Sequence, residues 1–340
     1  MRYIKHTVFC LIIFSNTCFG KEFDKLFTIY TPIEDRSQIE NSINKSFNTM
    51  IYRLSGKNSP TNIWKIINAG NSRKDFIKSY SVVNNNENNL LEVNFNKNLL
   101  ISKFKELSIP FIGSSRPTIL FLIKIDSGLK DPYYLSFQES DSDLEKNIKN
   151  YLTKASQSRG IFLELPELDL LDLNNLNNYE KIVNSKQFFG EKYLTDEIIN
   201  IDISKTGINK WSVSGDIRLT SADQNFNEIF IKAFSEYTDE SINLLLNDNL
   251  IDITKVSSVN ISIENINSYQ DYKKSKKIIE DLVGTRDINI SKFNTNTIYY
   301  QLSIYGDLKS IIYEFKDTSL LSIVDVIYDT STIQLKYKNE

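Results

Sequence analysis

The chain has 340 residues, of which 40 are Lys or Arg and 43 are Asp or Glu, so its formal net charge is −3. This balance, without a basic cluster, excludes the electrostatic footprint of a nucleic-acid-binding protein. The only histidine and the two cysteines are His6, Cys10 and Cys18. Beyond residue 20 the chain therefore lacks the side chains for a Ser-His-Asp triad, a Cys nucleophile, a disulfide or a His/Cys zinc site. We expect no metal and no cofactor.

The first twenty residues have the pattern of a cleavable secretion signal. Arg2 and Lys5 precede the apolar run 8–14, and a polar stretch ends at Gly20. The apolar run is too short to span a bilayer, and no later window is apolar enough. We expect cleavage between Gly20 and Lys21. Loss of the two basic residues leaves 38 basic against 43 acidic, a formal charge of −5. The expected location is the periplasm or, alternatively, the medium.

In the N-terminal part, the expected elements form one small α/β module. Residues 26–33 predict a strand, and Asp35 with Gln38 forms a capping box before apolar residues at helical spacing. Gly56 is expected to end that helix. Further along come a helix at 61–80, a hairpin made from the runs 80–83 and 90–95, and a helix at 99–107.

In the middle part, strands and helices alternate. The run 118–125 is apolar throughout, as in a strand buried on both faces. Ser142 and Glu145 predict a capped helix that ends at Gly160. The remaining expected elements are strand 161–165, helix 179–188, strands 193–204 and 210–219, and helix 226–246. This alternation predicts an α/β unit of two or three layers.

The last part predicts the order β-α-β-β-α-β, which is ferredoxin-like, with an extra edge strand allowed. The elements are strand 259–263, a helix capped by Ser268, strands 288–293 and 298–305, a helix after Gly306, and strands 323–328 and 333–337. The expected fold class is therefore mixed α/β (α+β) in three modules. Their expected bounds are 21–113, 114–250 and 255–340.

Several short segments occur in an order that resembles a known family. They are Tyr52-Arg-Leu-Ser-Gly56, Ser79-Tyr80-Ser81, Leu91-Glu-Val-Asn-Phe95, Ile109-Pro-Phe-Ile-Gly113, Arg116-Pro117, the run 159–166, the run 168–173, Phe189-Gly190 and Trp211. Together they resemble the domain-of-unknown-function 2066 family of exported proteobacterial proteins. Gly215-Asp216 departs from that family, which often has a second tryptophan there. The family has no assigned activity. More loosely, the first two modules resemble periplasmic assembly proteins, which implies another cell-envelope protein as the partner.

Six residues are candidates for a binding site. Glu164, Glu167, Asp169 and Asp172 crowd a leucine-rich stretch after a strand. They could act as acid and base on a glycan or hold Ca²⁺. We favour acids that face water or cap the next helix, because burying unpaired charges is costly. Arg116 could bind an anionic partner, although an arginine that extends from a domain junction into solvent is favoured.

Trp211 is the sixth candidate, from its place in the family pattern. Ser42 with Lys45, and the run 205–207, match two motifs of serine penicillin-binding enzymes. The third motif is out of order, so we interpret both matches as chance. Asp141 and Asp143 lack the remaining ligands of an EF-hand and are expected to be helix-start charges.

These observations favour a non-enzymatic periplasmic protein, a binding or assembly module that contacts another envelope component through sheet edges or loops. The alternative is a carboxylate-dependent hydrolase acting on an envelope glycan through the cluster 164–172. A third hypothesis is a lipid carrier, which would need a large apolar cavity.

Overall fold

The computed structural model describes residues 23, 25–33, 35–85, 88–138, 142–169, 172, 189–190, 192–193, 195–208, 210–315 and 318–338. These residues include seven α-helices, and their sixteen strands form four sheets. This confirms the mixed α/β class. The predicted signal, the predicted helix at 179–188 and Asp141 lie outside the described residues. None of the described helices combines the length and the apolar character needed to cross a bilayer.

A three-stranded antiparallel sheet, ordered β1-β3-β2, forms the N-terminal part with its helices. The elements are β1 (Thr28–Pro32), α1 (Ile39–Ser55), α2 (Thr61–Asn68), β2 (Ile77–Asn85), β3 (Asn88–Phe95) and α3 (Lys97–Glu106). Helix α1 packs against β1 and β3. Strands β2 and β3 pair as the predicted hairpin.

Helix α1 follows from the spacing of its apolar side chains, which face the sheet. Those that are buried are Ile43, Phe47, Met50, Ile51 and Leu54. The helix ends, as predicted, at Gly56, whose φ of +66° favours glycine. Its start differs from the expected capping box. The Asp35 carboxylate accepts a hydrogen bond from the Ser37 N–H at 2.6 Å, and a 3-10 turn, Arg36–Gln38, precedes the α-helix.

The predicted helix at 61–80 is wrong in its extent. Helix α2 ends at Asn68. The Ser72 side chain then caps a second 3-10 turn, and strand β2 begins at Ile77. Gly70, two residues after Asn68, has a φ of +84°, which leaves the helical region and explains the early end.

A six-stranded sheet forms the middle part. Its order is β10-β9-β8-β5-β6, and β7 also pairs with β5. The elements are β4 (Phe111–Ile112), β5 (Thr118–Asp126), β6 (Tyr133–Tyr134), α4 (Asp143–Arg159), β7 (Phe162–Glu164), β8 (Glu197–Gly207), β9 (Lys210–Gly215), β10 (Leu219–Ala222), α5 (Phe226–Asp248) and β11 (Leu250–Ile251). Strand β5 runs parallel to both β7 and β8.

Strand β5 is buried on both faces, as its sequence predicts. Phe121 belongs to the core under α4 and α5, and its ring lies 5.6 Å from that of Phe234. Leu120 and Leu122 point to the opposite face and pack with Phe189. Side chains therefore cover this strand from both sides, which is why it has no polar alternation.

A five-stranded sheet with two helices forms the C-terminal part. Its order is β13-β14-β12-β16-β15. The elements are β12 (Val256–Glu264), α6 (Tyr269–Asp281), β13 (Thr285–Asn294), β14 (Thr297–Tyr305), α7 (Leu308–Phe315), β15 (Leu321–Ile327) and β16 (Thr332–Tyr337). The Ser268 side chain caps α6 by accepting the Asp271 N–H at 3.1 Å, as expected.

The C-terminal sheet departs from the predicted ferredoxin-like arrangement at one place. In a ferredoxin-like sheet, the strand that follows the second helix lies antiparallel beside the first strand. Here β16 takes that position and runs parallel to β12, while β15 is displaced to the edge. The added strand is therefore inside the sheet and not at its edge. Ile333 and Leu335 of β16 are fully buried, whereas Val324 of β15 is 57 % exposed, as their interior and edge positions in the sheet require.

The hydrophobic cores extend across the predicted module bounds. Ile251, Ile253 and Val283 belong to the core of the N-terminal sheet. Strands β4 and β11 pair with each other and join the segments after α3 and α5. The module bounds 21–113, 114–250 and 255–340 stay a prediction.

Candidate functional site

A cleft opens beside the central strand of the six-stranded sheet. Strands β6 and β7 pair with the same edge of β5, because β8 occupies the other edge. The cleft lies between the segment that begins at β6 and the segment that follows β7, and its volume is about 430 Å³. That volume falls within the range of small-ligand sites. Six lining residues define it, and we call it the acidic cleft: Tyr133, Tyr134, Glu167, Asp169, Asp172 and Lys192.

Two of the cleft's carboxylates hold each other's backbone. The Asp169 N–H donates to Asp172 Oδ2 at 2.9 Å, and the Asp172 N–H donates to Asp169 Oδ1 at 2.8 Å. This reciprocal pattern is that of a capping box, with Asp169 in the N-cap position. Asp172 also forms an ion pair with Lys192. These two acids therefore fix the backbone of their own segment, and whether they cap a helix there stays a prediction.

Glu167 is positioned through its backbone. Its N–H donates to Tyr193 Oη at 2.9 Å, and the Tyr193 hydroxyl donates to the Glu167 carbonyl, also at 2.9 Å. Pro166 before it is buried, whereas the Glu167 side chain is exposed. The geometry fixes the chain and leaves the carboxylate free to meet a ligand.

Aromatic side chains support the acidic cleft from below. The rings of Tyr134 and Phe189 lie 5.6 Å apart, edge to face, and those of Phe189 and Tyr193 lie 6.1 Å apart. Phe189 is fully buried against β5. Because such rings have few rotatable bonds, this support is stiff.

The electrostatics of the cleft favour a positively charged group. Burial opposes ionisation of Asp172, but the hydrogen bonds from Lys192 and from the Asp169 N–H lower its pKa on balance. Burial likewise opposes the charge on Lys192, while the hydrogen bond to Asp172 raises the pKa of the ammonium on balance. Three carboxylates face one ammonium among the six defining residues, a formal charge of −2.

The structure brings together three of the six predicted binding residues. Glu167, Asp169 and Asp172 line the acidic cleft, whereas Glu164 lies within β7 and is not among the lining residues. Within the described part of the chain, no group of three or more Asp, Glu, His or Cys side chains is arranged to hold a metal ion.

Arg116 is buried at the junction of the N-terminal and middle parts, with 3 % of its surface exposed. Its Nη1 donates to the Arg53 carbonyl at 3.0 Å, while Nε and Nη2 have no hydrogen-bond partner among the described residues. Burial, and then the charge of Arg53, lower the pKa of Arg116. The expectation that its charged end reaches solvent is therefore wrong, because the packed junction encloses the guanidinium.

Trp211 is a packing residue on β9. Its ring stacks on Phe226 at 5.1 Å, and the stack continues through Phe230 to Phe234 along α5. Lys205 Nζ lies 5.6 Å from the centre of the Trp211 ring. This position belongs to the core under α5 and not to the acidic cleft.

The enzyme-like motifs do not form a site. Ser42 is buried within α1, beside the N-terminal sheet. The run 205–207 ends β8, in a different sheet. Asp143 lies in the first turn of α4, where a carboxylate favours the positive end of the helix dipole, as expected.

Sequence reasoning missed three lining residues of the cleft, Tyr133, Tyr134 and Lys192. The aromatic pair forms a two-residue strand with no recognisable flanking pattern. Lys192 follows the predicted helix and carries no motif. Only the pairing of β6 with β5, and the ion pair with Asp172, bring them to the cleft.

A buried carboxyl, Glu314 on α7, was also not predicted. Its Oε2 accepts the Val283 N–H at 2.7 Å and its Oε1 accepts the Gly284 N–H at 2.9 Å. Burial raises the pKa of Glu314 to about 7, and the two hydrogen bonds with the charges of Lys97 and Lys105 offset this only in part. No motif surrounds Glu314, so no signal in the sequence marks it.

A larger cleft, of about 740 Å³, lies between the turn after α1 and the exposed side of α5. It is lined by Glu236, Asp239 and Glu240, with Lys57 opposite. Within the part of the chain that the structure describes, no aromatic side chain lines it, in contrast to the acidic cleft. We therefore regard the acidic cleft as the better candidate.

No protein-family model, no curated protein and no solved structure matches this chain significantly. The resemblance to the domain-of-unknown-function 2066 family accordingly stays a prediction, and the geometry of the acidic cleft has to carry any functional conclusion.

Proposed function

We propose that this protein is an exported, non-enzymatic binding or assembly module of the periplasm, and that it holds a segment of another cell-envelope protein in the acidic cleft. The observation that carries the proposal is how the cleft's carboxylates are bound. Asp169 and Asp172 cap each other's backbone, and Asp172 also pairs with Lys192. Carboxylates fixed in this way are suited to recognising charge.

The chemistry of the cleft indicates the partner segment. Glu167 and Asp169 are exposed at its rim, and the rings of Tyr133 and Tyr134 lie among its lining residues. A lysine or arginine side chain of the partner would pack its aliphatic stem on a ring and direct its cation to a carboxylate. A basic residue on an otherwise polar loop therefore fits this site.

No observation on the described residues favours the glycan hydrolase. A general acid in such an enzyme needs a carboxyl whose pKa is raised. In the cleft, the pKa of Asp172 is lowered instead. Glu314, whose pKa is raised, is buried on α7 and is not among the residues that line the acidic cleft.

The test is photo-crosslinking in cells from a reactive amino acid placed at Gln138, an exposed lining residue. One discrete protein adduct is expected. The matched control is Leu129, which is 90 % exposed and outside the cleft. Adding Glu167→Lys to the Gln138 probe should reduce the adduct about tenfold, the effect of ~1.4 kcal/mol of lost attraction.

Three outcomes would count against the proposal. The absence of any protein adduct from Gln138 would remove its basis. An equal adduct from Leu129 would indicate random contact. An adduct to glycan alone would favour the hydrolase alternative.

A further inference from the structure

Strand β2 is an exposed edge of the N-terminal sheet. It pairs with β3 on one side and stands at the end of the order β1-β3-β2. Every residue from Lys78 to Val82 is exposed, and Tyr80 and Val82 are exposed by 55 % and 47 %. A free edge with exposed apolar side chains is a template for pairing with another strand.

The two exposed apolar side chains continue the core of the sheet. Tyr80 lies opposite Val93 and Val82 lies opposite Leu91, and both partners on β3 are fully buried. Directly opposed residues of an antiparallel pair point to the same face. Tyr80 and Val82 are therefore on the core face, at the end where the N-terminal sheet stops and the core meets solvent.

Strand β2 is also the most regular of the long exposed edges. Strand β13 has register shifts at 285/287 and at 290/292, and β15 has one at 323/325. Such bulges disrupt edge-to-edge pairing. The one shift in β2 lies at its start, between Ile77 and Ser79, and the pairing from Ser79 to Asn85 is continuous.

The sequence of β2 is complementary to itself. In an antiparallel pairing centred on Ser81, Tyr80 of each copy lies opposite Val82 of the other. Its only charged residue, Lys78, lies opposite the neutral Asn84, so no like charges meet. We propose that two copies of this chain associate through β2 around a two-fold axis at Ser81, which joins their N-terminal sheets into one six-stranded sheet.

This interface is separate from the acidic cleft, which lies beside a different sheet, so its test does not depend on the proposed function. Two copies of Ser81 would face each other with Cα atoms about 4.5–5.5 Å apart, a distance that a disulfide spans. Ser79 would lie opposite Val83 of the other copy instead. Two copies of residue 79 would be roughly 13 Å apart, which is too far.

The experiment uses the full chain with Cys10→Ser and Cys18→Ser, which leaves no other cysteine. Under mild oxidation, Ser81→Cys should form a covalent dimer, whereas Ser79→Cys or Val83→Cys alone should not. A mixture of Ser79→Cys and Val83→Cys chains should cross-link. If Ser79→Cys alone cross-links as well as Ser81→Cys, the register is wrong and the proposal is overturned.

Sedimentation of the cysteine-free chain supplies a second readout. Ser81→Lys and Ser81→Glu should each be monomeric, because two like charges would be directly opposed, and a mixture of the two should restore the dimer. Val324→Lys on the β15 edge is the control and should keep the dimer. A monomeric unaltered chain, or a Ser81→Lys chain that stays dimeric, would overturn the proposal.

Discussion

At the scale of single residues, the buried charged side chain of Arg53 joins the N-terminal part of the chain to the middle part. Arg53 Nη1 donates to the carbonyls of Leu26 and Thr28, at 2.6 and 2.9 Å, and Nη2 donates to the carbonyl of Gln157 on α4. One guanidinium thus ties β1 and the segment before it to the middle part. A Cβ on Gly160 would lie 2.6 Å from Arg53 Cγ, so the close approach needs glycine as much as its φ of +61° does.

Glu314 makes the stability of the protein depend on pH. Its pKa is about 7 in the folded protein, above its ordinary value of 4.5. Below pH 4.5 the carboxyl is protonated in both the folded and unfolded states. As pH rises from 4.5 to 7, only the unfolded state ionises, so the free energy of unfolding falls by up to about 3 kcal/mol. Glu314→Gln should remove this fall.

To test this prediction, the free energy of unfolding is measured with denaturant at a series of pH values from 4 to 8. The quantity compared between variants is the slope of that free energy against pH. Glu236→Gln, at an exposed site on α5, is the control and should retain the fall. Equal slopes for the Glu314→Gln and unaltered chains would contradict the assignment. Gly113 is packed so closely against this carboxyl that a Cβ there would lie 2.9 Å from Glu314 Oε1.

At the scale of elements, short local signals decide where helices begin. Ser142 has an extended backbone, its Oγ accepts the Glu145 N–H at 3.3 Å, and the same hydroxyl donates to Glu145 Oε1 at 2.8 Å. The predicted capped start of α4 is therefore confirmed. Asp35 uses its side chain on a 3-10 turn, although its sequence has the same pattern.

Ser142→Ala should lower the free energy of unfolding by about 1 kcal/mol, because an N–H at the start of α4 loses its acceptor. Thermal or denaturant unfolding measures this change. Asn225→Ala is the matched control, since Asn225 precedes α5 without a capping hydrogen bond from its side chain to the described residues. A loss as large at Asn225 as at Ser142 would show that capping is not the cause.

At the scale of the whole molecule, the hydrophobic core of the N-terminal sheet includes residues from much later in the chain. Ile251 is 2 % exposed and belongs to the same hydrophobic core as residues of α1 and β3. Ile251→Ala should lower the free energy of unfolding by about 2–5 kcal/mol, because it leaves a cavity in this core. Hydrogen exchange should then accelerate at the amides of α1, far away in sequence.

The control for Ile251 is Val324→Ala, at a residue that is 57 % exposed on β15. Its effect on stability should stay within about 0.5 kcal/mol, as for surface sites in general. If Ile251→Ala accelerated exchange only in α5 and β12, the N-terminal part would fold independently of the later segments.

Local pattern was enough to predict most elements and part of the acidic cleft. The helical spacing in α1, the glycine after it, the apolar run of β5 and the serine before α6 each act over a few neighbouring residues, and each prediction is confirmed. Asp169 and Asp172 could be proposed as caps for the same reason.

Tertiary structure alone decided what depends on distant contacts. Three features depend on segments that are far apart in the chain. They are the position of β16 inside its sheet, the burial of Arg116 and Glu314, and the placement of Tyr133 and Lys192 in one cleft. A sequence pattern reports which residues share a face of one element. It does not report which element packs against that face, because strand order and core packing are set by the summed burial of the whole chain.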